Sequence, residues 1–309
     1  MSKKENNGEK QDEYWREEVK KIQGDSFHGS LHLADEALKI SERFIQKQLY
    51  KNRTELFQSF SKLVNALVRS KPLTALIYTR THRILDFIES LPKDQRNILS
   101  IKNLVLDEFK NIRKESEENQ KAIIRFGARL ILDQHVVLTH SASELVESIL
   151  LEAHRQKKHF RLICTESRPH FEGKHLAIRM AKAGIKTRLI PDADLTRVLK
   201  EAHFALTGAD RITEVSFINK TGTYNLAIVA KEFNIPFYIT IDTAKILPKR
   251  TYPARYISVN ENEILEKKIT NLTAENFYFE EIPITYVHKI ISDAGIFEIE
   301  EFEARFLKF

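Results

Sequence analysis

The sequence predicts an α/β protein, with a helical N-terminal domain followed by a Rossmann-like parallel-sheet domain. Apolar residues recur every three or four positions between residues 12 and 130, as on the buried face of a helix. After residue 133, short apolar runs alternate with helical stretches at the spacing of βα units. The length of 309 residues exceeds the size at which one hydrophobic core keeps growing. We therefore expect a disordered tail over residues 1–11, a helical domain over 12–130 and an α/β domain over 131–309.

The helical pattern of the first domain is clearest from Leu56 through Phe60 and Leu63 to Leu67. Pro72 and Pro92 interrupt the pattern and mark turns next to helices. The charged and polar residues 1–10 lack apolar content and predict disorder, and a first helix is predicted at about 12–22. The first domain is thus a set of amphipathic helices.

The second domain predicts a parallel sheet. The apolar runs that predict strands lie at 136–138, 160–164, 187–190, 204–207 and 237–241, and the intervening helices are predicted at 143–156, 173–183 and 223–234. The sequence contains neither G-x-G-x-x-G nor G-x-x-x-x-G-K-[ST], which disfavours a dinucleotide cofactor and a Walker-type phosphate loop. No cofactor and no metal ion are predicted.

Charge and cysteine content narrow the possible functions. The net charge of +6 is a mild excess, but residues 161–190 hold seven basic residues against two acidic ones, a local net charge of +5. Such a local cluster suits a small phosphorylated ligand better than a nucleic acid duplex, which needs a long basic stripe. The single cysteine, Cys164, excludes an intrachain disulfide. With no apolar run resembling a signal peptide or membrane span, we expect a cytoplasmic protein without a membrane role.

Polar motifs follow the predicted strands where each strand ends. Asp210 follows the strand at 204–207, and Asn219 and Lys220 precede the helix at 223. Because ligands of open parallel sheets bind at the carboxyl ends of the strands, this edge is the predicted site. The backbone amides of residues 221–223, at a helix N-terminus, are expected to bind a phosphate. The alternative is that Asp210 is a cap and that Asn219 and Lys220 lie in an ordinary solvated loop.

Three further motifs join a loop to a helix N-terminus. Thr-Glu-Ser-Arg-Pro-His-Phe-Glu-Gly spans 165–173, Val-Leu-Thr-His-Ser-Ala-Ser spans 137–143, and Gly-Asp-Ser-Phe-His-Gly-Ser spans 24–30. Their arginine and hydroxyl side chains can bind an anion, although a stiff turn or a helix cap, such as Ser30 or Ser143, explains each motif alone. The candidate ligand-binding residues of these motifs are His28, Gly29, Ser30, Ser141, Ser143, Ser167, Arg168 and Glu172.

Taken in order, these motifs resemble the translation initiation factor 2B alpha/beta/delta family, whose relatives include ribose-1,5-bisphosphate isomerase and methylthioribose-1-phosphate isomerase. The resemblance covers about residues 22–300 and includes Gly-Ala-Asp at 208–210, Asn-Lys-Thr-Gly-Thr at 219–223 and Tyr-Phe-Glu-Glu-Ile-Pro at 278–283. It implies a helical domain, a Rossmann-like domain and dimerisation through the latter, sometimes within larger assemblies.

The resemblance also implies roles for individual residues. Asp210 matches the proton donor of the isomerases, Asn219 and Lys220 match their substrate-binding pair, and Lys245 joins the candidate ligand-binding residues. The cysteine that serves the isomerases as proton acceptor is replaced here by Ser141, and their N-terminal arginine-glycine-alanine phosphate motif is replaced by His28, Gly29 and Ser30. An alkanol cannot act as a base without a neighbouring base.

The adjacent His140 is a poor candidate for that base because successive residues leaving a strand point to opposite faces. Cys164 lies on another predicted strand and cannot be assumed to substitute for the missing thiol. The resemblance therefore favours a non-catalytic, initiation-factor-2B-like protein that binds a sugar phosphate or nucleotide and acts by assembly or regulation. The alternative is an aldose-ketose isomerase of a phosphorylated sugar.

The expected partners follow from the same resemblance. They are a second copy of the chain or a larger oligomer, and translation initiation factors, with nucleic acid not expected as a direct ligand. The apolar and aromatic segment 277–309 is interpreted as a surface that a second chain covers.

Overall fold

The computed structural model describes residues 14–92, 97–249, 251, 256 and 258–308. The chain divides into two compact units, Met1–Glu117 and Glu118–Phe309. The domain boundary predicted at residue 130 coincides with the end of a 33-residue helix, α5 (Ile98–Leu130), which contributes to both units. The tail predicted to be disordered lies outside the described residues. None of the helices in the described ranges is long and apolar enough to span a membrane.

The first unit is helical, as predicted. Its helices are α1 over residues 14–24, α2 (Ser30–Lys47), α3 (Arg53–Ser70), α4 (Ala75–Ser90) and the first part of α5. The stripe from Leu56 to Leu67 on α3 is fully buried, which confirms the helical spacing. Helix α3 begins at Arg53 because the Asn52 side chain caps it, accepting a hydrogen bond from the amide of Glu55 at 2.9 Å.

The second unit contains a seven-stranded sheet in the order β10-β9-β7-β4-β1-β2-β3. Its strands are β1 (Val136–Thr139), β2 (Arg161–Thr165), β3 (Lys186–Ile190), β4 (Phe204–Gly208), β7 (Phe237–Thr240), β9 (Lys289–Ser292) and β10 (Gly295–Glu298). All neighbouring strands are parallel except β9 and β10. The helices are α6 (Glu144–Arg155), α7 (Glu172–Lys182), α8 (Leu195–Val198), α9 (Thr223–Glu232) and α10 (Ile299–Phe306). The five predicted strands and three predicted helices are present, with ends shifted by one or two residues.

A second, three-stranded antiparallel sheet was not predicted. It joins β5 (Arg211–Ile212), β6 (Ser216–Lys220) and β8 (Phe279–Pro283) in the order β5-β6-β8. Asn219 and Lys220 therefore lie at the end of a strand and not in a solvated loop. All five residues of β6 are buried, so the strand lacks the alternation of polar and apolar residues that marks a half-exposed strand. Its partner β8 comes about 60 residues later, which no local pattern reveals.

The C-terminal segment packs into the chain's own core. Ile282, Ile290 and Phe302 are fully buried, and Phe297 is almost so. The interpretation of residues 277–309 as a surface that a second chain covers is therefore wrong for these four side chains, because β8, β9, β10 and α10 bury them within one chain, whereas Phe277 is 39% exposed. Apolar richness alone does not distinguish an interface from a core.

Candidate functional site

The strand order places a topological switch point between β1 and β4. From β1 the chain adds β2 and β3 on one side, and then β4 on the other side. Open parallel sheets bind ligands outside the carboxyl ends of the strands at such a point. His140 and Ser141 follow β1, and Ala209 and Asp210 follow β4. The topology therefore brings two of the sequence motifs together at the crevice expected at such a point. We call the carboxyl-end edge of the sheet, with the residues that follow its strands, the rim.

Two serines at the rim have left-handed backbone conformations. Ser141 has φ of 65° and Ser167 has φ of 60°. Each such residue costs about 1–3 kcal/mol unless its surroundings stabilise the conformation. The amide of Ser141 donates a hydrogen bond of 2.7 Å to Oγ of Ser167, whose side chain is fully buried. The turn after β1 is thus held by the turn after β2, and Ser141 keeps a fixed position at the crevice.

Ser143 acts as a cap, the alternative considered from the sequence. Its Oγ accepts a hydrogen bond from the amide of Val146 at the start of α6. The capping contact does not prevent Ser143 from contributing to a site at the rim, because its Oγ keeps a second lone pair.

His140 is buried between the strand ends, with 4% of its surface exposed. Its Nε2 lies 2.9 Å from the carbonyl oxygen of Thr221, and its Nδ1 lies 2.7 Å from Oγ1 of Thr165. Since a carbonyl oxygen can only accept, Nε2 carries the proton and Nδ1 accepts from the threonine hydroxyl. Burial lowers the pKa of His140, which favours this neutral form. Both ring nitrogens are therefore engaged, and the imidazole is not available to Ser141.

Asp192 organises the rim and was missed from the sequence. It lies in a short 3-10 helix directly after β3, and its two carboxylate oxygens accept the amides of Ser167 and Arg168 at 2.7 and 2.8 Å. One of these oxygens is also 3.9 Å from Nδ1 of His140. The sequence did contain a signal for Asp192, because this residue follows the end of a predicted strand, as Asp210 does.

Lys220 and Glu172, two predicted ligand-binding residues, form an ion pair. Lys220 Nζ lies 2.6 Å from Oε1 of Glu172, and 6% and 18% of the two side chains are exposed. The ammonium also lies 5.0 Å from the centre of the Tyr278 ring. A largely buried ion pair is strongly coupled, because removing one partner leaves the other charge uncompensated. The predicted cation is therefore present at the rim, but a carboxylate already neutralises it.

Asn219 is turned toward helix α9. Its Nδ2 donates a hydrogen bond of 2.9 Å to Oγ1 of Thr223, whose hydroxyl in turn donates to the carbonyl of Lys220 at 2.6 Å. The Asn219 side chain is almost completely buried. Its contact with Thr223 stabilises the junction of β6 and α9 and so fixes the position of Lys220.

The N-terminus of α9 differs from the prediction of a phosphate seat. Glu280 Oε1 accepts hydrogen bonds from the amides of Gly222 and Tyr224 at 2.7 and 2.8 Å. The amide of Thr221 donates to the carbonyl of Tyr278 at 2.9 Å. A carboxylate from β8 thus occupies the place where an anion was expected, because a helix N-terminus attracts any negative charge and this one belongs to the chain itself.

Asp210 and Lys245 lie on the other side of the crevice. The amide of Asp210 donates to the carbonyl of Ile218 at 2.8 Å, which ties the end of β4 to β6. Lys245 is 5% exposed, and its Nζ donates a hydrogen bond of 2.7 Å to the carbonyl of Ala209. The structure therefore brings a buried cation next to the Gly-Ala-Asp motif.

Three motif glycines allow close approaches at the rim. Gly208 and Gly222 leave room for an atom of a different motif, Gly173 leaves room for the carbonyl of Thr165 in its own motif, and Gly222 also has φ of 105°. A Cβ would lie 2.0 Å from the carbonyl oxygen of Thr165 at Gly173, 2.6 Å from Oγ of Ser143 at Gly208, and 2.6 Å from Cε1 of His140 at Gly222. The motifs therefore form one packed structure and not separate turns.

Three buried oxygens at this edge have no hydrogen-bond partner among the described residues. They are Oγ1 of Thr207 near the end of β4, Oγ1 of Thr240 at the end of β7, and Oε2 of Glu172. A buried polar atom without a partner costs about 1–3 kcal/mol, so most such atoms are paired. Their position at the carboxyl ends of the strands is what a site for a polar ligand requires.

The basic segment 161–190 contributes less to the rim than predicted. Arg179 and Arg188 pair with glutamates outside the segment, at 2.6 and 2.9 Å. Arg168 is exposed after the end of β2, and its guanidinium lies 5.2 Å from the centre of the Phe171 ring. Lys174 Nζ lies 5.6 Å from the same ring. Arg168 and Lys174 are thus the cations of this segment that lie in the turn after β2 and the first turn of α7.

Cys164 lies inside the sheet, on β2, and is fully buried. Burial raises its pKa to about 12. Its thiol therefore remains protonated at neutral pH and cannot replace the proton-accepting cysteine of the isomerases.

Glu263 connects His170 and Tyr278 at the rim, and the sequence analysis did not predict this contact. His170 Nε2 lies 3.0 Å from Oε1 of Glu263, and the Tyr278 hydroxyl donates to the same oxygen at 2.6 Å. Burial would raise the pKa of Glu263, but the hydrogen bonds from Tyr278 and His170 outweigh burial and lower it. Glu263 lies in a polar segment without periodicity, so no sequence signal could have found this contact.

His28, Gly29 and Ser30 belong to the first unit, at the start of α2. Gly29 is the N-cap residue of that helix and Ser30 its first residue, so the predicted cap at Ser30 is displaced by one position. His28 is exposed, and its Nδ1 lies 2.7 Å from Oδ2 of Asp25. These residues are therefore features of the first unit, whereas the rim motifs belong to the second unit.

The fold and the rim define a Rossmann-like protein with a polar crevice at its switch point and no dinucleotide motif. The model of the Initiation factor 2 subunit family matches residues 26–299, and the chain belongs to this family. The resemblance drawn from the motifs is thereby confirmed.

Two curated relatives and one solved structure illustrate the range of the family. A putative translation initiation factor eIF-2B subunit 2-like protein of Pyrococcus horikoshii is 37% identical over 184 residues, which are 59% of this chain and 65% of that protein, just under two thirds of its length. Ribose 1,5-bisphosphate isomerase of Methanocaldococcus jannaschii is 28% identical over 287 residues, 91% of this chain and 90% of that protein. The crystal structure of translation initiation factor eIF-2B from Pyrococcus horikoshii OT3 aligns with a TM-score of 0.78 and 28% identity, covering 92% of this chain and 96% of that one.

Proposed function

We propose that this protein binds a phosphorylated sugar or a nucleotide at the rim of the second unit and acts through binding and assembly, in the manner of an initiation-factor-2B-like protein. The observation that carries this proposal is Ser141 at the position where the resemblance places the proton-accepting cysteine of the isomerases. Isomerisation of a sugar phosphate moves a proton between adjacent carbons, so it needs a base as well as the acid candidate Asp210.

The surroundings of Ser141 support a binding role. The two other candidates for a base are His140, whose nitrogens are both hydrogen-bonded, and Cys164, whose thiol is buried and protonated. The carboxylate of Asp192 is engaged as well, because its two oxygens accept the amides of Ser167 and Arg168. His140 and Asp192 thereby hold the rim in shape.

The ligand class follows from the polar groups at the rim. Arg168, Lys220 and Lys245 provide positive charge, and a charge-assisted hydrogen bond to a phosphate contributes about 1.5–3 kcal/mol. The unpartnered oxygens of Thr207, Thr240 and Glu172 suit the hydroxyl groups of a sugar. A phosphorylated sugar, free or within a nucleotide, combines both kinds of group.

Binding is tested by calorimetric titration with ribose 1,5-bisphosphate, methylthioribose 1-phosphate and AMP. We expect Arg168→Ala to weaken binding about tenfold or more, as the loss of about 1.4 kcal/mol implies. Arg161→Ala is the matched control, since Arg161 is also exposed but lies at the opposite, amino end of β2. Equal affinities of the wild type and of Arg168→Ala and Lys220→Met would place the ligand elsewhere.

Catalysis is tested separately, by proton NMR in deuterated buffer with the two sugar phosphates. We expect no appreciable ketose formation and no exchange at the transferred carbon in the wild type, because a positioned base contributes about 10²–10⁴-fold. Ser141→Cys should introduce weak activity. Robust turnover by the wild type that Asp210→Asn abolishes would replace the binding proposal by an isomerase.

The isomerase is the second candidate, and two observations favour it. The isomerase relative aligns with 91% of this chain, whereas the initiation-factor-like relative aligns with 59%. The acid candidate Asp210 is also retained. Translation initiation factors as partners belong to the binding proposal alone, whereas a second copy of the chain is compatible with either candidate.

A further inference from the structure

A carboxylate and two imidazoles converge before and within the first turn of α2 in the first unit. Asp25, His28 and His32 each offer one ligand atom, and these three atoms lie within 4.8 Å of one another. Nδ1 of His28 is 2.7 Å from Oδ2 of Asp25, and the two imidazole rings stack with their centres 4.1 Å apart. The spacing Asp-x-x-His-x-x-x-His was visible in the sequence, but no metal ion was predicted from it.

The local structure holds the carboxylate in place. Oδ1 of Asp25 accepts the amides of Phe27 and His28 at 3.0 and 3.1 Å, which directs Oδ2 toward the imidazole. The carbonyl of Asp25 accepts a hydrogen bond of 2.5 Å from Nζ of Lys71. The group is therefore an oriented anion, as a metal ligand must be.

The two histidines differ in how firmly they are held. His32 lies within the first turn of α2, between the buried residues Leu31 and Leu33. His28 precedes the N-cap residue Gly29, so its side chain is not fixed by the helix. Metal–nitrogen and metal–oxygen bonds of 2.0–2.2 Å require ligand atoms about 3.4 Å apart in a tetrahedral site. The 2.7 Å between Nδ1 of His28 and Oδ2 of Asp25 is shorter than this spacing, so metal binding requires the His28 side chain to turn away from Asp25.

We propose that Asp25, His28 and His32 bind one divalent cation of the late first transition row, such as Zn²⁺, Co²⁺ or Ni²⁺. Two imidazole nitrogens with one carboxylate oxygen suit these ions, whereas Mg²⁺ and Ca²⁺ prefer oxygen ligands. Three protein ligands leave at least one coordination position for water or another molecule. This site is in the first unit, and it does not depend on the ligand proposed for the second.

The test uses the full-length protein without an affinity tag, stripped with a chelator and titrated with Co²⁺ and Zn²⁺. We expect one equivalent of Co²⁺ per chain, with visible absorption bands of a four- or five-coordinate ion, and calorimetric uptake of one Zn²⁺. His28→Gln and His32→Gln should each weaken binding at least tenfold. Asp25→Asn keeps an oxygen for the two backbone amides but removes the charge, so it should weaken binding without unfolding the turn.

His159→Gln is the matched control. His159 is exposed and its Nδ1 lies 3.6 Å from Oδ1 of Asp133, so it forms an aspartate–histidine pair outside any three-ligand group found in the described residues. Its substitution should leave the stoichiometry and affinity unchanged. Zn²⁺ should also raise the melting temperature of the wild type but not of His32→Gln. Absence of stoichiometric uptake, or equal affinities of the wild type, His28→Gln and His32→Gln, would overturn the proposal.

Discussion

Replacing Glu280 by glutamine should loosen the start of helix α9 while leaving the rest of the second unit intact. One carboxylate oxygen accepts the amides of Gly222 and Tyr224, and glutamine offers a neutral oxygen of the same reach. The substitution therefore removes charge and keeps the shape. It isolates the electrostatic part of the cap at the helix N-terminus.

The expected magnitude follows from the two hydrogen bonds. A hydrogen bond to a charged group contributes about 1.5–3 kcal/mol and a neutral one about 0.5–1.5 kcal/mol, so each bond loses about 1 kcal/mol. Because both bonds share one oxygen, their losses do not add fully, and we expect about 1–2 kcal/mol in total. At 1.4 kcal/mol per factor of ten, local opening becomes about five- to thirty-fold more frequent.

Hydrogen exchange followed by mass spectrometry measures this opening directly. Peptides that contain residues 222–226 should exchange about five to thirty times faster in Glu280→Gln, whereas peptides from α6 should not change. Glu281→Gln is the matched control, because the neighbouring carboxylate accepts from Ser216 and contacts Lys249 and does not contact α9. Unchanged exchange in Glu280→Gln, or equal acceleration in both variants, would refute the capping role.

Three further predictions concern the rim and the assembly. Gly173→Ala should lower the free energy of unfolding by about 1–3 kcal/mol or more, because the added Cβ would lie 2.0 Å from the carbonyl oxygen of Thr165. Gly24→Ala is the control: a Cβ at Gly24 meets no atom within 4 Å, so this variant should have the melting temperature of the wild type. Burial lowers the pKa of His140 in the folded protein, so below about pH 6.5 the unfolded chain binds more protons than the folded protein. The free energy of unfolding should therefore fall by up to about 1.4 kcal/mol per pH unit on acidification, until the pH reaches the pKa of folded His140. His140→Gln should lose this extra slope in denaturation curves between pH 7 and 5, and retention of the slope would exclude His140 as its source. Light scattering at micromolar concentration should give a mass of at least twice the 36.0 kDa of one chain, and a monomer would contradict the proposed dimer.

The alternating pattern of the second unit was predictable because each βα unit is local in sequence. Apolar runs and helical spacing located β1 to β4 and β7, and the rule for strand ends then located Ser141 and Asp210. The small sheet was not predictable, since β5 has only two residues and β8 joins β6 from a distant part of the chain. Long-range pairing of a fully buried strand such as β6 with a distant partner leaves no local periodicity.

The same distinction applies to the site. Side chains that follow a strand could be found by position, which includes Asp192, although it was overlooked. Glu280 and Glu263 could not be found, because their partners, Tyr224 and His170, come together only through the small sheet and the segment before it. A charged residue whose partner lies about 60 or 90 residues away in the sequence leaves no local pattern. A motif search therefore finds only the partner that stands in a motif resembling a ligand site.

The close approach of Gly208 and Gly222 to side chains of another motif constrains how this protein can evolve. At Gly208 a new methyl group would meet Oγ of Ser143 at 2.6 Å and its Cβ at 2.9 Å, and at Gly222 it would meet the ring of His140. A larger residue at one of these positions is tolerated only if a residue in another motif becomes smaller or moves. Mutations in the separate motifs should therefore be epistatic, and a lineage that changes one of these motifs must alter another together with it.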